Sequence, residues 1–262
     1  VEWSLPLRTA APRVTATESL TVEFQRNHAE VELLVDLEAE VGSTFQLEVR
    51  APESLEVELV STAVEPLVRR WTRLPSGDIA VFLDGAMTGP QQLRLRGTLP
   101  TPAEGKFVIP DMGMIGCEMT ERRIDVYRRP SVLVTPQVAE AFSGELIDVP
   151  AATTSPRRLV ASMAGNAVLR ELPVELAVNQ PQAEVPLVTS LVRTEELWKA
   201  EVDCLLEVRL GLVDLLKLEV PENWEAPLQL DPPLPHWIVP ASGQRPAMLM
   251  IRPNAAIDRQ LR

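Results

Sequence analysis

Strict alternation over Ala29–Val49, AEVELLVDLEAEVGSTFQLEV, constrains this chain more than any other feature. Val31, Leu33, Val35, Leu37, Ala39 and Val41 share one parity. Glu30, Glu32, Asp36, Glu38 and Glu40 hold the other, with Leu34 as the exception. Successive residues of a strand point to opposite faces, so the run makes one apolar and one acidic face. A helix would spread the same acids round most of its circumference. Leu, Glu and Ala favour helix, but the period of two favours strand. Gly42-Ser43-Thr44 supplies a turn, and Phe45, Leu47 and Val49 resume the alternation. The stretch is expected to form a hairpin that nucleates a β domain.

The chain contains this stretch twice. At an offset of 171 residues it meets Ala200–Val220, AEVDCLLEVRLGLVDLLKLEV. Val202, Cys204, Leu206, Val208, Leu210 and Leu212 share the apolar parity there, and Arg209 and Lys217 replace part of the acidic one. Val14–Val49 set against Val185–Val220 without gaps gives ten identities in 36 positions. The order then holds: Pro52-Glu53 meets Pro221-Glu222, Trp71 and Ser76-Gly77 meet Trp237 and Ser242-Gly243, and Gln92-Leu93-Arg94 meets Gln260-Leu261-Arg262. Small changes of offset are what loop insertions produce. The expected organisation is a β-sandwich segment A over residues 1–101, a β-rich segment B over 102–180, and a second copy of A over 181–262. That copy stops in mid-strand at Arg262, which predicts a fragment of a longer protein.

Twenty-four prolines cannot sit inside many helices but fit the ends and edges of short strands. Hydrophobic residues make up 45% of the chain and aromatics only 4%, so a packed aliphatic core is expected. Val1–Leu7, Val14–Phe24, Phe107–Pro110, Ile124–Tyr127, Ser131–Thr135, Arg158–Met163 and Val168–Val178 read as further strands, with one helical turn over Val138–Phe142. The fold class is all-β: tandem antiparallel β-sandwich segments carrying an internal repeat.

The net charge of −12 repels phosphate backbones, so nucleic acid is excluded as a partner. No run of eighteen apolar residues offers a membrane-spanning segment. The paired arginines Arg69-Arg70, Arg122-Arg123, Arg128-Arg129 and Arg157-Arg158 read as solvated strand faces balancing the acidic excess. Glu30 and Glu32, two apart on a strand, match the spacing of paired carboxylates in a glycosidase, but a solvated face gives the same stripe. His28 and His236 have no neighbour at ligand spacing, so neither a metal site nor a cofactor is expected. No nucleophile elbow, phosphate loop or dinucleotide fingerprint is present. No catalytic residue is assigned. Cys204 lies on the apolar parity and reads as a small buried hydrophobe; its pairing with Cys117 stays open. The candidate ligand-binding residues are Trp224, Trp237 and His236, within the proline-rich run PENWEAPLQLDPPLPHW. Since Trp71 and Trp237 correspond in the repeat, packing at a sandwich end or edge competes with ligand stacking.

The recurring Leu-Glu-Val followed by Pro-Glu and a tryptophan, with FVIPDM (Phe107–Met112) and IDVYRRPSVLV (Ile124–Val134), resembles the repeated β-sandwich segments of large uncharacterised bacterial envelope proteins. The resemblance implies an extracytoplasmic, multi-segment protein and brings no functional residues. The expected role is a non-catalytic structural or protein-interaction module. Its partners would be other domains of the same polypeptide or other proteins. A carbohydrate-binding accessory region and a hydrolase using surface carboxylates are the alternatives.

Overall fold

The alternating run forms strands on both sides of its turn, but not as a hairpin. In the computed structural model His28–Val41 and Thr44–Arg50 are strands, and Gly42 between them takes φ +77. A β-carbon at Gly42 would meet the Pro12 backbone at 3.3 Å, so the corner requires glycine on both counts. Val31, Leu33, Val35 and Leu37 are buried, and the acids between them face outward. The two strands then enter different sheets. The structure describes residues 12–63, 67–137, 145–146, 157–165, 171–193, 195, 198–221, 228–243 and 245–261. The expected first strand and the turn at 138–142 lie outside them.

Two compact units divide the chain. The first takes residues 1–149 and 159–177, and the second takes 150–158 and 178–262. Segments A and B therefore fold together. The strands that build the first unit are β1 (Arg13–Phe24), β2 (His28–Val41), β3 (Thr44–Arg50), β4 (Glu56–Thr62), β5 (Val68–Arg73), β6 (Ile79–Met87), β7 (Gln91–Pro100), β8 (Gly105–Ile109), β9 (Gly113–Ile115), β10 (Glu118–Arg128), β11 (Val132–Pro136), β12 (Glu145–Leu146), β13 (Arg158–Gly165) and β14 (Leu172–Val178). They make a seven-stranded sheet in the order β12-β13-β10-β1-β2-β7-β4, a four-stranded sheet β5-β6-β3-β9, and a three-stranded sheet β11-β14-β8.

One hydrophobic core joins these sheets as a sandwich. Leu20, Leu33 and Leu95 come from the large sheet, Val49 and Val81 from the four-stranded sheet, and Ile109 and Val174 from the three-stranded one. Phe24 on β1 meets Phe107 on β8 edge to face, with centroids 5.8 Å apart. Each such buried aliphatic or aromatic side chain contributes about 1.5–3 kcal/mol. The pairing is antiparallel throughout the large sheet's centre except at β1 and β10, which run parallel with Glu18 opposite Arg122.

The second unit holds β15 (Gln182–Glu184), β16 (Leu187–Arg193), β17 (Trp198–Cys204), β18 (Leu206–Leu210), β19 (Leu216–Val220), β20 (His236–Val239), β21 (Ala247–Ile251) and β22 (Gln260–Leu261). They pair as β15-β18-β22, β16-β17 and β19-β21-β20. The strands fall where the sequence offsets put them. Val35 opposite Leu93 and Asp36 opposite Gln92 in the first unit become Leu206 opposite Leu261 and Glu207 opposite Gln260 in the second. In both units the glutamine amide donates to the acid beside it. Among the described residues there is no helix.

Burial separates the corresponding positions. Leu33 is fully buried, whereas its counterpart Cys204 is only partly covered. Leu33→Ala is expected to lower the unfolding free energy of the first unit by about 2–5 kcal/mol. Cys204→Ala is expected to change the second unit by less than about 1 kcal/mol. Urea denaturation of the two variants checks both values.

Candidate functional site

The acids of the alternating stretch line the outer face of the seven-stranded sheet. Neighbouring groups take them up. Glu30 accepts from the Gln25 amide at 2.5 Å, Glu32 pairs with Arg94, and Asp36 accepts from Gln92 at 2.8 Å. Glu40 pairs with Arg13 at 3.3 Å. Beside this stripe runs a shallow open groove lined by Thr15, Thr17, Asp36, Glu38, Gln92 and Thr120. Its hydroxyls also bond one another: Thr17 and Thr120 lie 2.8 Å apart, and Thr120 donates to the Ala16 carbonyl. Ala16, Leu37, Ala63 and Pro90 also line it, so the polar groups there serve mainly to hold strands together.

The carboxylate with the most unusual setting is Glu18, away from the stripe. It sits on the apolar parity of β1, between Ala16 and Leu20, and is buried. The Met114 amide donates to its Oε1 at 2.5 Å. Its Oε2 faces the Arg122 Nε at 3.6 Å across the parallel pair. Arg122 also donates to Asp111 at 2.7 Å and to the Met112 carbonyl at 2.6 Å, and Arg50 reaches Asp111 from the end of β3. Gly113 leaves room for the carboxylate, since a β-carbon there would come within 2.6 Å of both oxygens. Burial pushes the Glu18 carboxyl above its usual range, against the opposing pull of the Met114 hydrogen bond and of Arg122. The Cys117 thiol is likewise pushed up, by burial and then by the Glu18 charge. The cluster ties β1, β9, β10 and the end of β3 together.

Three arginines read as solvated are instead buried: Arg122, Arg128 and Arg158. Each aims its guanidinium at backbone carbonyls. Arg128 donates to the Val132 carbonyl at 3.2 Å. Arg158, the one residue of β13 that belongs to the second unit, pairs with Asp214 at 3.2 Å and donates to the carbonyls of Asp214, Pro253 and Asn254. Asn179 closes the same irregular region, exchanging two 2.9 Å hydrogen bonds with the Leu212 backbone. Burial without strand partners leaves carbonyls that need donors, and a guanidinium supplies several. The readable signal for Glu18 and Arg122 was a charged residue on the apolar parity of its own strand.

Of the residues marked for ligand binding, Trp224 lies outside the described residues. His236 and Trp237 are consecutive on β20, so the pleat sends them to opposite faces. His236 Nδ1 lies 2.9 Å from the Leu234 carbonyl. Trp237 is 39% exposed on an edge strand, and so is Trp71 on β5. Among the described residues, Trp71, Trp198 and Trp237 stand in three different sheets. Cys117 and Cys204 are free thiols. Among the described residues no cluster of three or more His, Cys, Asp or Glu is placed to hold a metal.

No protein-family model matches the sequence, and no curated protein matches it. Solved structures that match in shape include a two-domain M1 zinc metallopeptidase bound to L-tryptophan, at 10% identity and a TM-score of 0.43 over 75% of this chain and 48% of the other. An M1 zinc metallopeptidase of Deinococcus radiodurans bound to a Tyr-Ser-Ala substrate matches at 10% identity and a TM-score of 0.43, over 73% and 47%. The chain spans about half the length of these proteins.

The raised pKa of Glu18 carries a sign. The folded chain binds this proton more tightly than the unfolded chain, so the Glu18 contribution to stability falls as pH rises from the ordinary carboxylate range towards the raised value. Glu18→Gln removes that titration. The unfolding free energy of the variant relative to the parent is expected to improve between pH 4 and pH 7, read by urea denaturation at both. A relative loss over the same interval would contradict the raised pKa.

Proposed function

We propose that the chain is a non-catalytic module built from two copies of one β unit. It serves a larger extracytoplasmic protein, in the periplasm or cell envelope, as a structural or protein-interaction region. The observation that carries this reading is the use made of the charged groups. Glu32 and Asp36 of the stripe hold β7, and Glu18, Arg122, Arg128 and Arg158 hold buried backbone in place. The two-copy organisation is supported by the shared register of Asp36 with Gln92 and Glu207 with Gln260. The extracytoplasmic setting is supported by the resemblance of the Leu-Glu-Val, Pro-Glu and IDVYRRPSVLV segments to envelope-protein repeats.

The purified chain, assayed against peptide, ester and glycoside panels with and without added zinc, is expected to give no turnover above buffer. Turnover that Glu32→Gln abolishes would replace this reading with the hydrolase one. Glu32→Gln by itself is expected to cost at most about 1 kcal/mol of stability, because its ion pair is partly solvated.

A further inference from the structure

The parallel seam of the first unit has a register that its apolar pattern alone does not select. β10 lies beside β1 with Glu18 opposite Arg122, Leu20 opposite Ile124 and Val22 opposite Val126. A slip of one residue would turn Arg123 and Asp125 inward and Ile124 outward, so the pattern forbids it. A slip of two keeps Arg122, Ile124 and Val126 facing inward, and the pattern does not resist it. Even slips do separate the two copies of this unit. Leu20 faces Leu33 in the first, whereas Leu191 and Ala200, the counterparts of Leu20 and Ala29, face each other in the second, a difference of four residues. Some contact other than apolar parity must therefore place β10 against β1.

The bulge of β10 at Thr120 is a weak selector. Its hydroxyl meets that of Thr17 at 2.8 Å in an exposed position, where water replaces a lost hydrogen bond at little cost. The direct contact of the charged pair is also loose: Glu18 Oε2 and Arg122 Nε lie 3.6 Å apart, and neither makes a hydrogen bond. The short bonds of both side chains go instead to one segment, Asp111–Met114. Glu18 accepts from the Met114 amide at 2.5 Å. Arg122 donates to the Met112 carbonyl at 2.6 Å and to the Asp111 carboxylate at 2.7 Å. That segment is held independently of both strands. Gly113 and Met114 pair with Arg50 and Val49 of β3, and the Arg50 guanidinium holds Asp111 at 2.5 Å. With no side chain at Gly113, the Glu18 carboxylate can reach it.

We propose that Asp111–Met114 is a register gauge for this seam, which Glu18 reads from β1 and Arg122 reads from β10. Only one register lets both side chains reach it. A two-residue slip carries Arg122 about 6.6 Å along the seam, away from the Met112 carbonyl and from Glu18. Two buried charges then lose their partners, which is costly even where the apolar faces still match. Glu18 and Arg122 act here as positioning residues: they select the register, and the aliphatic core supplies the stability. Replacing such a buried pair by apolar side chains is often neutral for stability, so selection and stability separate in experiment. The gauge works in the same way whatever the module binds.

The test is solution NMR of the isotope-labelled full chain. In the parent, backbone NOEs are expected to link Leu20 with Ile124, with one set of amide signals over β10. Glu18→Leu and Arg122→Met each remove one grip on the segment and keep the parity. Each is expected to fold, with a second set of β10 amide signals at about a tenth of the intensity or more. New backbone NOEs should then link Leu20 with position 122 or with Val126. Glu18→Gln keeps an acceptor for the Met114 amide and is expected to hold the single parental register. Parental NOEs and a single set of signals in both Glu18→Leu and Arg122→Met would overturn the proposal. A second register in Glu18→Gln would overturn it as well, since selection would then lie in the charge pair and not in the grip on the segment. Loss of cooperative urea unfolding in both apolar variants would do the same, because the pair would then be a stabilising contact.

Discussion

The first unit depends on a buried ion pair between two strands that are far apart in the chain. Glu18 on β1 and Arg122 on β10 face each other across the parallel pairing, with Arg122 also fixed to Asp111 and the Met112 carbonyl. A parallel pairing cannot be closed by a short turn, so something other than a hairpin must set its register. Here a charged pair on the apolar parity does so, and Gly113 makes the space it needs. Removing one partner would leave an uncompensated buried charge, which is costly, so pair and register stand together.

The alternation of Ala29–Val49 was fully legible where it concerned faces. Val31, Leu33, Val35 and Leu37 are buried and the acids between them point out, as a period of two requires. Its partners were not legible. A period of two says which way a side chain points and nothing about which sheet receives the strand, so the corner at Gly42 looks the same in sequence whether it makes a hairpin or sends β2 and β3 to separate sheets. The division of labour between segments was hidden for a similar reason. Segment B was visible as strands, but its role as cover for β1 depends on a pairing some hundred residues long-range.

The arginines show a second limit. Charge counting places Arg122, Arg128 and Arg158 at the surface, because most arginines are found there. Their burial follows from backbone carbonyls left unpaired at irregular junctions, such as those of Pro253 and Asn254. Those junctions are products of the three-dimensional fold. Trp71 and Trp237, which correspond in the repeat, both stand on edge strands, and the pleat that separates His236 from Trp237 follows from β20 being extended.

The parallel seam between β1 and β10 also sets a clock. Glu18 and Arg122 are 104 positions apart by subtraction of their numbers. At a synthesis rate of about 5–20 residues per second, the outer edge of β1 waits roughly 5–20 s for its neighbour to be made. For that time the nascent chain carries β1 with its apolar outer edge uncovered. The order of the elements thus leaves β1, the earliest of the described strands, open until β10 is made, and any factor that shields extended apolar segments during synthesis has a target there.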